Sequence, residues 1–158
     1  MSSSAPVRTA CYDHHIAAGA TIVDFHGFEL PIRYTSITDE HLATRSAAGL
    51  FDVAHMGCIL LTGPGAIDAF DGMATQNVSS IEEGRCAYTH FCDENGFIID
   101  DMIFAVTTCD EVTRSGLVQL GDQGRCILGV PNASMVVPME QWFLKCLEGR
   151  DDVRFHQL

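Results

Sequence analysis

Basic residues are scarce in this chain. Lys and Arg number 9 against 21 Asp and Glu, a formal net charge of −12. That balance argues against nucleic acid and anionic membrane surfaces as main partners, because both are polyanions. Long apolar runs are also missing. The longest, Cys58 to Leu61 and Ile98 to Val106, fall well short of a bilayer span, and Asp100 and Asp101 break the second. The first ten residues carry one arginine and no apolar stretch, which argues against a secretory signal. They read as a flexible terminus, residues 1–10, although the serine-rich, acid-free start also fits the remnant of a transit peptide. The seven cysteines are odd in number, and no two are spaced C-x-x-C. A disulfide framework or zinc ribbon needs paired spacing, so the plain reading is reduced thiols and no metal site. His14 and His15 are adjacent and do not share a helix face. Dinucleotide, P-loop, nucleophile-elbow and H-E-x-x-H motifs are absent.

What is present is a globular composition. Of the 158 residues 47% are hydrophobic and 19% charged, enough for one domain with its own core. The acidity fits a soluble cytoplasmic protein or, alternatively, one of the mitochondrial matrix.

The pattern predicts a short helix over residues 11–19, stopped by Gly19, and a strand over 21–25. A turn follows over 26–31, and the chain extends again over 32–35. Ser36-x-x-Asp39 reads as a capping box opening a helix with Leu42, Ala43 and Ala47 as its stripe, ended by Gly49. Strands are expected over 50–53 and 58–62, around the bend Ala54-His55-Met56-Gly57. Gly63-Pro64 opens a helix whose buried face holds Ile67, Phe70 and Met73. The clearest hairpin pairs 86–92 with 97–106 across Asn95-Gly96, a dipeptide that tolerates positive φ. A strand over 126–130 follows. A last helix begins near Val136 and buries Met139, Phe143, Leu144 and Leu147. The final residues read as the start of one more strand in a chain that once continued. The order implies an α+β fold with a mixed or antiparallel sheet and helices packed on it.

The most informative segment is Gly96-Phe97-Ile98-Ile99-Asp100-Asp101-Met102-Ile103. On a strand, neighbouring residues face opposite sides, so the two acids cannot both leave the core. If Asp100 faces solvent, Asp101 lies among Ile99 and Ile103, where a carboxylate needs a partner or a purpose. A grip on the N–H groups of a polar ligand and a hairpin edge where both acids reach water stand level. Asn132 is a polar strand-end residue, most simply a cap or turn. Tyr88 is core or an aromatic wall, with core the simpler reading. His55-Met56 lines a pocket or packs inside.

Several segments, in order, resemble the aminomethyltransferase family, the T-protein of the glycine cleavage system. They are Tyr12-Asp13-x-His15, the run from Ile22 to Pro31, Tyr34 to Ile37, Glu40-His41-x-Ala43-x-Arg45, Gly49 to Gly57, Gly63-Pro64, Ala87-Tyr88, Asn95 to Asp101, and Asn132-Ala133-Ser134. The resemblance covers about Cys11 to Ser134 and implies the folate-binding N-terminal region, residues 11–158 forming part of that domain. It implies transfer of a one-carbon unit from the aminomethyl-lipoyl arm of the H-protein to tetrahydrofolate, with release of ammonia. Asp101 corresponds to the family's aspartate beside the pterin and is the expected catalytic residue. Met56, Tyr88 and Asn132 match positions lining the folate pocket.

There are departures. Phe28 replaces the family's tryptophan, and Phe97 a glycine. Residues 107–124 exceed the family's hairpin and read as an inserted surface loop. Met135 to Pro138 replaces a charged segment. Family members are more than twice as long, and the remainder supplies a glutamate and arginines to the folate site. Apolar surface left by a missing part predicts self-association. A truncated, non-catalytic folate-binding or partner-docking relative is the first alternative, and a folate-dependent demethylase branch is the second.

Overall fold

The computed structural model describes residues 5–158. Residues 1–4 of the terminus expected to be flexible lie outside the described residues. Within the rest of it, Val7–Arg8 forms the first strand, β1. The chain divides into two compact units, with the boundary between His55 and Met56.

In the first unit α1 (Tyr12–Ala17) is followed by β2 (Thr21–Phe25) and β3 (Phe28–Arg33). The sheet order is β1-β3-β2, with β1 parallel and β2 antiparallel to β3. The expected turn over 26–31 is shorter in the structure. His26 and Gly27, at φ 52° and 87°, make the whole bend, and Asp24 accepts the Gly27 N–H at 2.8 Å. Two left-handed residues match the natural strand twist, so β3 starts at once at Phe28. Pro31 is tolerated within β3 because β1 reaches only Phe28 and Glu29, leaving that edge free.

Half of the expected capping box forms, from Ser36, and Glu40 takes the place expected of Asp39 in the return bonds. Ser36 accepts the Asp39 N–H at 3.3 Å and opens α2 (Ile37–Ser46). Glu40 reaches back to take the N–H groups of Tyr34 and Thr35, at 2.9 and 2.7 Å. No residue of α2 is buried, so the stripe of Leu42 and Ala43 has no partner within the unit. The strand expected over 50–53 does not form. Leu50 is fully exposed and the segment is irregular. Apolar, extended sequence becomes a strand only where a neighbouring strand takes its backbone bonds.

A polar clasp closes the first unit. Asp52 accepts from Thr9 at 2.6 Å, from the Ala54 N–H at 2.9 Å, and contacts His15 Nε2 at 2.9 Å. His15, which is buried, contacts the Tyr34 hydroxyl at 2.8 Å through Nδ1. Burial pushes the Asp52 carboxyl up, but the hydrogen bonds of His15, Thr9 and Ala54 outweigh it and hold it at about 2.

The second unit is a 5-stranded antiparallel sheet. Its strands are β4 (Ile59–Thr62), β5 (Arg85–Cys92), β6 (Ile98–Thr108), β7 (Arg125–Pro131) and β8 (Arg154–Gln157), in the order β5-β6-β7-β4-β8. One face packs on α3 (Ala66–Met73) and α5 (Val136–Cys146). There Phe70 meets Phe91, Phe104 and Phe143 at ring separations of 5.6, 4.9 and 6.1 Å. The helix after Gly63-Pro64 buries Ala66, Ala69 and Phe70, with Ile67 and Met73 at the margin. In α5, Met139 and Phe143 are buried as expected, but Leu144 is half exposed. It lies one residue beyond the i, i+4 pair and so turns off the buried face.

Residues 107–124 are not a plain surface loop. Thr108 accepts the Glu111 N–H at 3.2 Å and starts α4 (Cys109–Ser115). Cys109 and Val112 of α4 pack with Leu60 and Cys126 into a small second core on the sheet's other face. An amphipathic turn with its own cap has apolar area to bury, and this stretch uses it.

Candidate functional site

In the second unit, the β5–β6 hairpin is built by its turn. Gly96 takes φ 83°, and the Asp93 carboxylate accepts the N–H groups of Asn95 and Phe97, each at 2.9 Å. Just beyond, the register shifts. Cys92 pairs with Ile98 and Phe91 with Asp100, which leaves Ile99 as the extra residue of a bulge. Beyond the bulge Asp100 points inward, 6% exposed, on the side that plain alternation gives to Met102, Phe104 and Val106. The reading that placed Asp101 inside when Asp100 faced water is thus reversed. The two acids do face opposite ways, but Asp100 is the inner one.

Asp101 lies on the outer face with Ile103. Across the strand pair His90 is opposite Asp101, and Tyr88 is opposite Ile103. Tyr88 is therefore the diagonal neighbour of Asp101, within reach of a long side chain. Its hydroxyl donates to Asp101 Oδ2. That bond, then partial desolvation and the charges of Asp101 and Asp100, push the Tyr88 phenol above its ordinary range. Tyr88 is 48% exposed, so it is not core. Its ring meets that of His90 edge-on at 5.5 Å.

Asn132 follows β7 and is brought to the same strand end. Its side chain does not cap the following turn. Instead Nδ2 donates to Asp100 Oδ1 at 2.9 Å and to the Asp101 carbonyl at 3.2 Å. Gly57 donates its N–H to the Pro131 carbonyl at 3.1 Å. A Cβ at Gly57 would stand 2.5 Å from Val136 Cγ2 and 2.8 Å from Pro131 Cγ, so only glycine permits this approach. Half-buried Met56 precedes it and is held beside the same strand end.

Asp101 and Tyr88 thus share an open sheet face, and Asn132 comes to the same end of β6 and β7 through Asp100 and the Asp101 carbonyl, while Met56 is near it only through the backbone bond of Gly57. Phe97, Ile98 and Ile103 are exposed there. The polar groups offered are acceptors backed by an aromatic ring, an arrangement suited to a flat ligand rich in N–H groups. Sequence reasoning missed Asp100 as a partner of Asn132, although its two-residue spacing from Met102, Phe104 and Val106 marks the inner face. His55 lies in the first unit, its ring 6.0 Å from Phe25 and 5.9 Å from Phe28, with Nδ1 buried and unpartnered. Among the described residues no group of three or more His, Cys, Asp and Glu stands together as a metal site. No described helix is long and apolar enough to cross a membrane.

Residues 11–115 match the family model described as the GCVT N-terminal domain. The chain is 44% identical over 96 residues to an aminomethyltransferase of Halothermothrix orenii, covering 61% of this chain and 27% of that protein. It is 50% identical over 103 residues to an aminomethyltransferase of Streptomyces avermitilis, covering 65% of this chain and 28% of that one. It is similar in structure to the glycine cleavage system aminomethyltransferase T from Bartonella henselae, with a TM-score of 0.79 and 25% identity. That match covers 96% of this chain and 38% of the other. The matched segment spans little more than a quarter of the curated relatives.

Proposed function

Since the chain belongs to the GCVT N-terminal domain family, we propose that it forms part of the folate-binding domain of an aminomethyltransferase, over residues 11–158. Its ligand in this reading is tetrahydrofolate, and its partner the lipoylated H-protein of the glycine cleavage system. The reaction moves a one-carbon unit from the aminomethyl-lipoyl arm to the folate and releases ammonia.

The observation that carries the reading is the Tyr88–Asp101 contact on an open face beside Asn132. Tyr88 donates to only one Asp101 oxygen, so the other is free to receive ligand N–H groups. Asp101 orients the folate and balances charge as the aminomethyl carbon is attacked. Tyr88 and Met56 flank the ring, and Asn132 adds a polar contact. A second reading, folate binding without turnover, is favoured by the one-sided openness of the site around Tyr88.

Calorimetric titration of the chain with tetrahydrofolate, beside Asp101→Asn, tests the binding. Saturable binding that weakens in the variant supports it, and no binding by a folded chain overturns it. Ammonia release from aminomethylated H-protein then separates the enzyme from the binding module. Exposed Leu50, Phe51 and Val53 also favour self-association, which sedimentation at rising concentration would detect.

A further inference from the structure

We infer that Asp100 is a positioning residue that fixes which end of the Asn132 amide faces the site. The inference rests on the folate reading only for its ligand, because the hold on Asn132 is a property of this chain's own groups.

An asparagine side chain has a donating and an accepting end of nearly the same shape, and only its neighbours decide between them. Asn132 has two such neighbours on one side, the Asp100 carboxylate at 2.9 Å and the Asp101 carbonyl at 3.2 Å. The Asp101 carbonyl can only accept, and Asp100 Oδ1 is the acceptor of the shorter bond. Nδ2 must therefore face both, which uses both of its hydrogens and leaves Oδ1 on the far side as an acceptor. The strand end then offers acceptors at Asn132 and at Asp101, and a ligand edge must bring donors to both.

Asp100 is costly where it is. Its Oδ2 is buried without a hydrogen-bond partner, and an unpartnered buried polar atom lowers stability. Asparagine at 100 could turn either end toward Asn132. The lock would then be lost although the size is kept. Met102, two residues on with the same inward parity, is fully buried, so the backbone that carries Asp100 is held firmly.

The test reads the amide directly. In a 1H–15N spectrum of the full chain, identified by its loss in Asn132→Ser, both Asn132 side-chain hydrogens should exchange slowly with solvent. In Asp100→Asn the pair should broaden or exchange faster, with little change in the thermal midpoint. Affinity for tetrahydrofolate should fall about tenfold, the worth of one hydrogen bond. Fast exchange of either hydrogen in the unmodified chain overturns the inference, and that measurement needs no variant to fold. Retained slow exchange in Asp100→Asn also overturns it, as does unchanged affinity once the amide is released. If the unmodified chain binds no folate, the functional reading falls, and the amide exchange still decides the role of Asp100.

Discussion

Asp52 Oδ2 lies 2.9 Å from His15 Nε2, and this contact decides how His15 meets Tyr34. With an ionised carboxylate at Nε2, that nitrogen carries a proton, and in the neutral form of the ring Nδ1 is a lone pair to which Tyr34 donates across 2.8 Å. Desolvation, followed by the charge of Asp52, pushes the Tyr34 phenol upward, which keeps that proton in place. Asp52→Asn should turn the chain of bonds around or break it. We expect a loss of about 1–3 kcal/mol, the cost of unsatisfied buried polar groups. Hydrogen exchange of the α1 amides should show it first.

The same contact sets a pH dependence. Asp52 titrates at about 2 in the fold against an ordinary 3.8. A depressed carboxyl stabilises above its unfolded value and loses that contribution as pH falls through the folded value. The first unit should therefore weaken progressively between about pH 4 and pH 2, by on the order of 2 kcal/mol. Amide exchange of α1 and β3 across that range, compared with Asp52→Asn, checks it. The variant should show a flatter profile.

Phe70 sits among three other phenylalanines and is fully buried. Phe70→Ala should cost about 3–5 kcal/mol through lost burial and the cavity left behind. Urea unfolding followed by the fluorescence of Trp142, 5.5 Å from Phe91 in the same core, would measure it.

Gly63 takes φ 103°, and a Cβ there would lie 2.4 Å from the Asp152 carbonyl oxygen. Both the backbone conformation and the space refuse a side chain, and the obstacle is main chain, which cannot swing aside. Gly63→Ala should destabilise more than a surface Gly→Ala change such as Gly72→Ala, where nothing stands within 4 Å. Thermal melts of the two variants would rank them.

Thiol labelling offers a further check. Burial pushes the thiol of Cys126 up to about 12, and that of Cys109 also rises. Both are buried, whereas Cys11 and Cys86 are exposed. Reaction follows thiolate and access. Iodoacetamide should modify Cys11 and Cys86 in the native chain and spare Cys109 and Cys126 until it unfolds, as peptide mass spectrometry would show.

The elements that sequence rules anticipated here are those whose cause is local. Asn95-Gly96 makes its hairpin and Ser36 its cap because the deciding atoms lie within a few residues. Thr108 and Glu111 carried the same kind of signal for α4, and the apolar Cys109 and Val112 fit it, so that helix was readable in the stretch taken for a loop. Leu50 to Val53 has strand-like composition but no strand beside it, and pairing is a tertiary fact. Tyr88, Met56, Asn132 and Asp101 were singled out individually. The meeting of Tyr88, Asp101 and Asn132 at one strand end depends on the alignment of β5, β6 and β7. Asp100 was misplaced because Ile103 was taken for the inner face, whereas the alternation itself holds and puts Asp100 with buried Met102, Phe104 and Val106.

Among the described residues of the first unit, Leu30 is the only buried hydrophobic side chain. Directional bonds shape that unit, and oil shapes the other. A hydrocarbon core accepts many fillings of equal volume. A frame of matched donors and acceptors accepts few. In a library of random replacements, the buried positions of the second unit should drift among apolar residues of similar size. Thr9, His15 and Asp52 should hardly drift at all. Much of the chain's tolerance for change thus resides in its greasiest part, and its strictest spelling is required where it has almost no core.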